Sequence, residues 1–240
     1  MEAQLVAAPP STLNGLIETG QLEVSSVSAF CYIKSDDLEL LPDLSISSSS
    51  TGPVGSVLLF LATDPGNLDG KRVEVPLSSA TSVNLLRVLL REQYSVTPEI
   101  VPVETPSFAD EKTCAALVIG DRALQVDSDW SGTKERIDMG EWWLRRYSLP
   151  MVFGVWAARR EFKEQNQDSY RHIRDSLVEA RDMGINSMLS EVVKEASARA
   201  GIGEDRLKTY FTEEIDYELR PHHRESIELY QELLSRYSLV

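Results

Sequence analysis

A chain of 240 residues, 42% hydrophobic and 26% charged, holds enough apolar material for one large or two small domains with real cores. Its formal charge of −14 opposes general binding to nucleic acid or to an anionic membrane surface, since both carry the same sign. Apolar runs such as Val57 to Ala62 are far too short to span a bilayer, and no basic segment followed by an apolar core opens the chain, so the expectation is a cytosolic protein.

In chain order, Pro9-Pro10 predicts a helix from Ser11 to Gly20, with Leu13, Leu16 and Ile17 on one face. Strands are expected at Leu22 to Val27, near Leu38 to Leu41, and on both sides of a hydroxyl-rich stretch within Asp43 to Phe60. Asn67 to Gly70 reads as a turn and Arg72 to Pro76 as a strand. Ser78 to Val83 opens a helix whose Val83, Leu86, Leu89 and Leu90 share one stripe. Glu99 to Val103 and Cys114 to Ile119 are expected as buried strands. Thr105 to Thr113 and Asp127 to Thr133 read as loops or short helices, Glu141 to Tyr147 as a short helix, and Met151 to Ala158 as another strand. From Asn166 onward the pattern is helical; in the last helix Ile227, Tyr230, Leu234 and Tyr237 repeat at core-facing spacing.

Strands interleaved with helices predict an α/β fold with mainly parallel sheets. Val57 to Ala62 and Met151 to Ala158 are the candidates for two crossings (57–62 and 151–158) between lobes. One lobe would then combine residues 1–62 and 157–240, the other would span 68–150, and a ligand would sit in the cleft at strand ends.

Three segments are rich in small hydroxyls and nearly free of charge: Ser25 to Ser28, the stretch from Asp43 to Phe60, and Ser78 to Ser82. The last lies at a helix start, where free backbone N–H groups, hydroxyls and the positive end of the dipole coincide. Each segment alone is also explained by an ordinary turn or cap. Together, on an acidic chain, they suit neutral recognition of a carboxylate. Gly120-Asp121 follows a strand, where the acid either meets a ligand hydroxyl or caps the next helix. Trp142, Trp143 and Trp156 line an aromatic wall or pack in the core. His172, His222 and His223 suit surface or capping positions. Cys31 and Cys114, far apart in apolar surroundings, read as buried thiols, and no metal-ligand spacing is present.

Several motifs in order carry a resemblance. They are Pro10-Ser-Thr-Leu-Asn14, Gly20 to Phe30, Leu41 to Ser47, Gly52-Pro-Val-Gly-Ser-Val-Leu-Leu-Phe60, Ser79-Ala-Thr-Ser-Val83, Leu117-Val-Ile-Gly-Asp121 and Leu149-Pro-Met-Val-Phe-Gly-Val-Trp156. In sequence and spacing they resemble the chorismate dehydratase family of menaquinone biosynthesis by the futalosine route. The resemblance implies a periplasmic-binding-protein type II fold with two lobes and a helical tail. It also implies loss of water from chorismate to give 3-[(1-carboxyvinyl)oxy]benzoate, a small dicarboxylate partner, and no metal or organic cofactor. Under it, Ser79, Thr81 and Ser82 would hold one carboxylate. Ser26 and Ser47, with Gly52, Gly55 and Ser56, would serve the opposite lobe, and Asp121 would stand near the leaving hydroxyl as the catalytic group. Family members begin with a strand that has no counterpart before Met1, so a binding protein retaining the cleft without the chemistry is the competing expectation.

Overall fold

The computed structural model describes residues 4–107, 112–126 and 132–240. Pro9 and Pro10 set the first turn of α1 (Pro10–Glu18), where a missing N–H costs nothing, and Gly20 at φ 74° releases the chain into β1 (Val24–Ser28). Ser28 ends that strand and caps α2 (Ala29–Lys34), its Oγ accepting the Cys31 N–H at 3.1 Å. β2 (Leu38–Ser48) merges two expected strands into one. Its register jumps between Leu40 and Ser45, a bulge containing Asp43 at φ 70°.

Past the serine loop come β3 (Val57–Leu61), buried throughout, and β4 (Arg72–Pro76). α3 (Ala80–Leu89) widens into a π-turn over Leu90–Tyr94 before β5 (Glu99–Val103) and β6 (Thr113–Ile119). α4 (Gly120–Gln125), β7 (Glu135–Asp138), α5 (Met139–Tyr147) and β8 (Val152–Arg159) follow. The tail holds α6 (Arg160–Gln165), α7 (Gln167–Asn186), α8 (Leu189–Ala200) and α9 (Glu204–Thr209). A second π-turn over Tyr210–Glu214 then leads to β9 (Ile215–Asp216) and α10 (Pro221–Arg236). Residues 104–107 are irregular, while most of the second expected loop, 127–131, lies outside the described residues.

Two sheets result, one of four strands in the order β1-β8-β2-β9 and one of five in the order β5-β4-β6-β3-β7. The expectation of mainly parallel sheets is corrected. Parallel pairing is confined to β5-β4-β6, and every other described pair is antiparallel. The cause is the return path. β8 inserts between β1 and β2 against both, and β3 does the same between β6 and β7, so β1 and β2 share a direction without touching.

α3 and α5 cover the five-stranded sheet with Leu85, Leu86, Leu89, Trp142 and Trp143, and Tyr230, Leu233 and Leu234 of α10 join that core. The four-stranded sheet packs Val27, Val152, Val155 and Ala157 with Ile17, Ala29, Leu219 and Ile227. Trp142 and Trp143 are therefore core residues; Trp143 donates its indole N–H to Ser226 Oγ at 2.9 Å. His223 is buried at the start of α10, where its Nδ1 accepts the Arg220 N–H at 3.0 Å, a capping role. Both cysteines are free, and burial pushes the Cys31 thiol up to about 12, which makes it inert.

Candidate functional site

Strand registers bring the hydroxyl segments to one junction. In the five-stranded sheet, Val57 lies opposite Ile119 and Leu58 opposite Asp138. The start of β3 and the ends of β6 and β7 therefore share one edge. The end of β4 lies there too, because β4 runs parallel to β6. α3, α4 and α5 all begin at this edge, with their N–H ends turned toward it. In the four-stranded sheet, Ser28 and Ile46 both lie opposite Gly154, and Ser47 lies opposite Val152.

These two edges meet. The Phe30 N–H of α2 donates to Thr81 Oγ1 of α3 at 3.0 Å, and a Cβ on Gly140 would lie 3.0 Å from both Ser48 Cβ and Val54 Cβ. Strand order thus places the start of α3 against the start of α2, with the loop 49–56 running between the sheets.

At the start of α3, Ser79 is the N-cap: its Oγ accepts the Ser82 N–H at 3.3 Å and donates to Ser82 Oγ at 2.9 Å. The Ser82 hydroxyl proton and the first-turn N–H groups are the donors this end offers. Thr81 is spent differently. It is buried, its Oγ1 holds Phe30, and its carbonyl accepts from the Tyr230 hydroxyl at 2.9 Å.

Ser47 is also committed to the framework. Ser45 Oγ gives its proton to the Glu218 carbonyl at 2.8 Å, so the 2.8 Å contact between Ser45 and Ser47 is donated by Ser47. Ser26 faces Trp156 within the ladder, two residues short of the strand end. Ser28 stands at that end instead, held by Asn14, whose Oδ1 accepts the Ser28 N–H at 3.1 Å. Ser28 belongs to the expected Ser25 to Ser28 segment, although Ser26 is the residue expected at the site, and Asn14 is not expected at this junction.

The loop into β3 is shaped by one carboxylate. Asp138 accepts from the N–H groups of Val54 at 3.1 Å, Gly55 at 2.7 Å and Glu141 at 2.9 Å, fixing the loop to the cap of α5. Gly55 has φ 65°, and the Arg206–Glu214 ion pair at 2.9 Å occupies the space a Cβ would need. Burial pushes the Glu214 carboxyl up, against Arg206, which holds it down. Gly52 lies in the same loop with open space around its Cα.

Beside this loop, the Ser56 carbonyl accepts the Gly120 N–H at 2.8 Å, and Ser56 Oγ accepts from the Tyr210 hydroxyl at 3.1 Å. Asp121 is exposed in the first turn of α4, whose cap position is Ile119, so it does not serve as the cap. A cavity of about 580 Å³ opens at Gly55, lined also by Arg136, Asp138, Gly201, Gly203, Arg206 and Glu214 among others. Among the described residues no group of three or more His, Cys, Asp or Glu side chains is gathered to hold a metal ion. No helix among them is long and apolar enough to cross a membrane.

The start of α3 with its neutral donors and the loop fixed by Asp138 thus lie at the edges of the two sheets, with Asp121 exposed beside that loop. A family model described as menaquinone biosynthesis matches residues 1–236. The chain belongs to the menaquinone biosynthesis family. Within that family it is 32% identical to a chorismate dehydratase of Thermus thermophilus over 212 aligned residues, covering 78% of this chain and 76% of that one. It is also 31% identical over 153 residues to a 1,4-dihydroxy-6-naphtoate synthase of Streptomyces coelicolor, covering 61% of this chain and 52% of that one.

Solved structures agree on the fold. A protein from Archaeoglobus fulgidus superposes with a TM-score of 0.69 at 21% identity, over 98% of this chain and 86% of that one. The alkanesulfonate-binding protein of Xanthomonas axonopodis pv. citri, bound to MOPS, gives 0.64 at 12% identity, over 96% and 80%. The menaquinone biosynthesis family member described here therefore has the periplasmic-binding-protein-like fold.

Proposed function

We propose that this chain is a chorismate dehydratase, a hydro-lyase that converts chorismate into 3-[(1-carboxyvinyl)oxy]benzoate and water. The observation that carries the reading is its 32% identity to such an enzyme over 76% of that enzyme's length. The junction geometry supports it. We divide the chain along its two sheets, with the substrate between them: β3 (Val57–Leu61) goes with residues 68–150, and β8 (Val152–Arg159) goes with the lobe built from the start and end of the chain, so the expected crossings at 57–62 and 151–158 are strands of one sheet each.

Chorismate carries two carboxylates, which suit neutral donors and helix ends rather than a buried counter-charge. Ser79, Ser82 and the first-turn N–H groups of α3 receive one of them. The loop from Gly52 to Ser56 faces the remainder of the substrate. Ser47 acts by holding its wall, since its proton is already given to Ser45, and Thr81 holds the other by accepting the Phe30 N–H. The reaction removes a proton from the ring carbon bearing the enolpyruvyl ether and the hydroxyl from its neighbour, and the ring becomes aromatic. With that gain driving the reaction, the protein has only to hold the reactive conformer, stabilise developing charge and exclude water.

Of the carboxylates beside the loop, Asp138 is tied to three N–H groups and Glu214 to Arg206, whereas Asp121 is exposed. Asp121 is assigned to orient the leaving hydroxyl, and a carboxylate of the substrate itself takes the ring proton and passes it to that hydroxyl, so that water leaves and the carboxylate is regenerated. Replacing Asp121 by Asn tests the division of labour. Wild-type turnover would remove Asp121 from the chemistry, and complete loss of turnover with retained chorismate binding would count against the substrate carboxylate as the base. The reading as a whole is tested by incubating the pure protein with chorismate and seeking the enolpyruvyl benzoate by mass spectrometry. Product supports the enzyme; no product together with a raised melting temperature supports a binding protein.

A further inference from the structure

Tyr210 stands in the tail, 154 positions from the residue it touches. It opens the π-turn Tyr210–Glu214, and such wide turns recur where a helix is bent to present side chains. This one turn delivers two groups to the loop before β3. Glu214 goes to the Arg206 pair over Gly55, and the Tyr210 hydroxyl goes to Ser56 Oγ at 3.1 Å.

A serine hydroxyl has one proton and two lone pairs. With a lone pair taken by Tyr210, the Ser56 proton is left to be donated elsewhere. The Ser56 carbonyl meanwhile accepts the Gly120 N–H at 2.8 Å, so the same residue anchors the turn that carries Asp121. We propose that Tyr210 is a positioning residue for the dehydration, aiming the Ser56 hydroxyl as a donor toward the substrate beside Asp121. The inference rests on the chorismate dehydratase reading and on Ser56 as a residue of that site. Burial, with Glu214 and Asp121 nearby, pushes the Tyr210 phenol up, so the donor state persists through the neutral range.

The test measures kcat and KM for chorismate, with melting curves, in the wild type, Tyr210→Phe, Ser56→Ala and the double variant. Phe keeps the ring that packs against Phe211 and removes only the hydroxyl. The expected result for Tyr210→Phe is a loss of about tenfold in kcat with KM within about twofold and little change in melting. Ser56→Ala should lose a similar factor, and the double variant no more than either alone. Wild-type kcat in Tyr210→Phe, or losses that multiply in the double variant, would overturn the positioning role while leaving the dehydratase reading intact. A wild type that neither binds nor converts chorismate would remove both. Should Tyr210→Phe fail to fold, undiminished kcat in Ser56→Ala alone would overturn the proposal.

Discussion

The backbone N–H of Phe30 donates to the Thr81 side-chain oxygen at 3.0 Å, joining the first turns of two helices that belong to different sheets. Phe30 sits in the first turn of α2, where the helix supplies no acceptor of its own, and Thr81 is buried. One hydroxyl thus substitutes for a missing backbone partner and sets the spacing of the walls. Thr81→Val keeps the shape and removes the acceptor. It should cost about 0.5–1.5 kcal/mol in urea unfolding, the net contribution of one part-buried hydrogen bond. Thr81→Ser should stay close to wild type. Equal stability of the Val and Ser variants would show that the bond contributes nothing.

Gly55→Ala should be worse than its single methyl suggests. The left-handed φ of 65° costs an alanine about 1–2 kcal/mol, and the new Cβ would collide with the Arg206 and Glu214 side chains. Breaking that pair also leaves Glu214 half-buried without its cation. The expected outcome is a marked drop in melting temperature together with loss of turnover. An unchanged melting curve would mean that loop and ion pair separate freely.

Ser79→Ala separates capping from ligand binding. Loss of the cap should cost about 0.5–2 kcal/mol of stability. In the proposed enzyme it also frees Ser82 from its neighbour and weakens the carboxylate receptor at the start of α3. KM for chorismate should therefore rise several-fold with a smaller change in kcat. A loss confined to stability, with KM unmoved, would take the carboxylate away from this helix end.

What the sequence made legible follows the range of the interactions involved. The α3 start was readable because a Ser-x-x-Ser cap and an apolar stripe lie within a dozen residues. The strand ending at Ile119 was readable because it is a continuous apolar run. α2 was not, since Ala-Phe-Cys-Tyr-Ile-Lys is rich in residues that favour strands, and only the Ser28 cap and tertiary packing make it helical. β7 was missed because Glu135-Arg-Ile-Asp138 is mostly charged, as suits a strand at a sheet edge. Ser26 and Ser28 are not distinguished by composition; only the register, which sets Ser26 opposite Trp156 within the ladder, and the cap of α2 mark Ser28 as the strand end. Tyr210 carries no local signal at all, because its role depends on a contact with Ser56 that only the folded tail creates.

His223 gives the fold a pH dependence whose sign follows from its surroundings. Burial lowers its pKa from 6.5 to about 4, His222 and Arg220 act in the same direction, and Asp216, 3.7 Å from Nε2, opposes them. The neutral ring is also the one that accepts the Arg220 N–H at the start of α10, where a positive charge would face the helix dipole. The unfolded chain therefore binds this proton more readily than the folded one. The contribution is complete above pH 6.5, shrinks as pH falls from 6.5 toward 4 and is flat below, amounting to about 3 kcal/mol at most across that window. Urea unfolding between pH 4 and 7.5 should show stability declining on the acid side, and His223→Asn should flatten that slope. If the variant does not fold, the imidazole NMR titration of the wild type decides: a midpoint near 4 supports the buried neutral cap, and a midpoint near 6.5 excludes it.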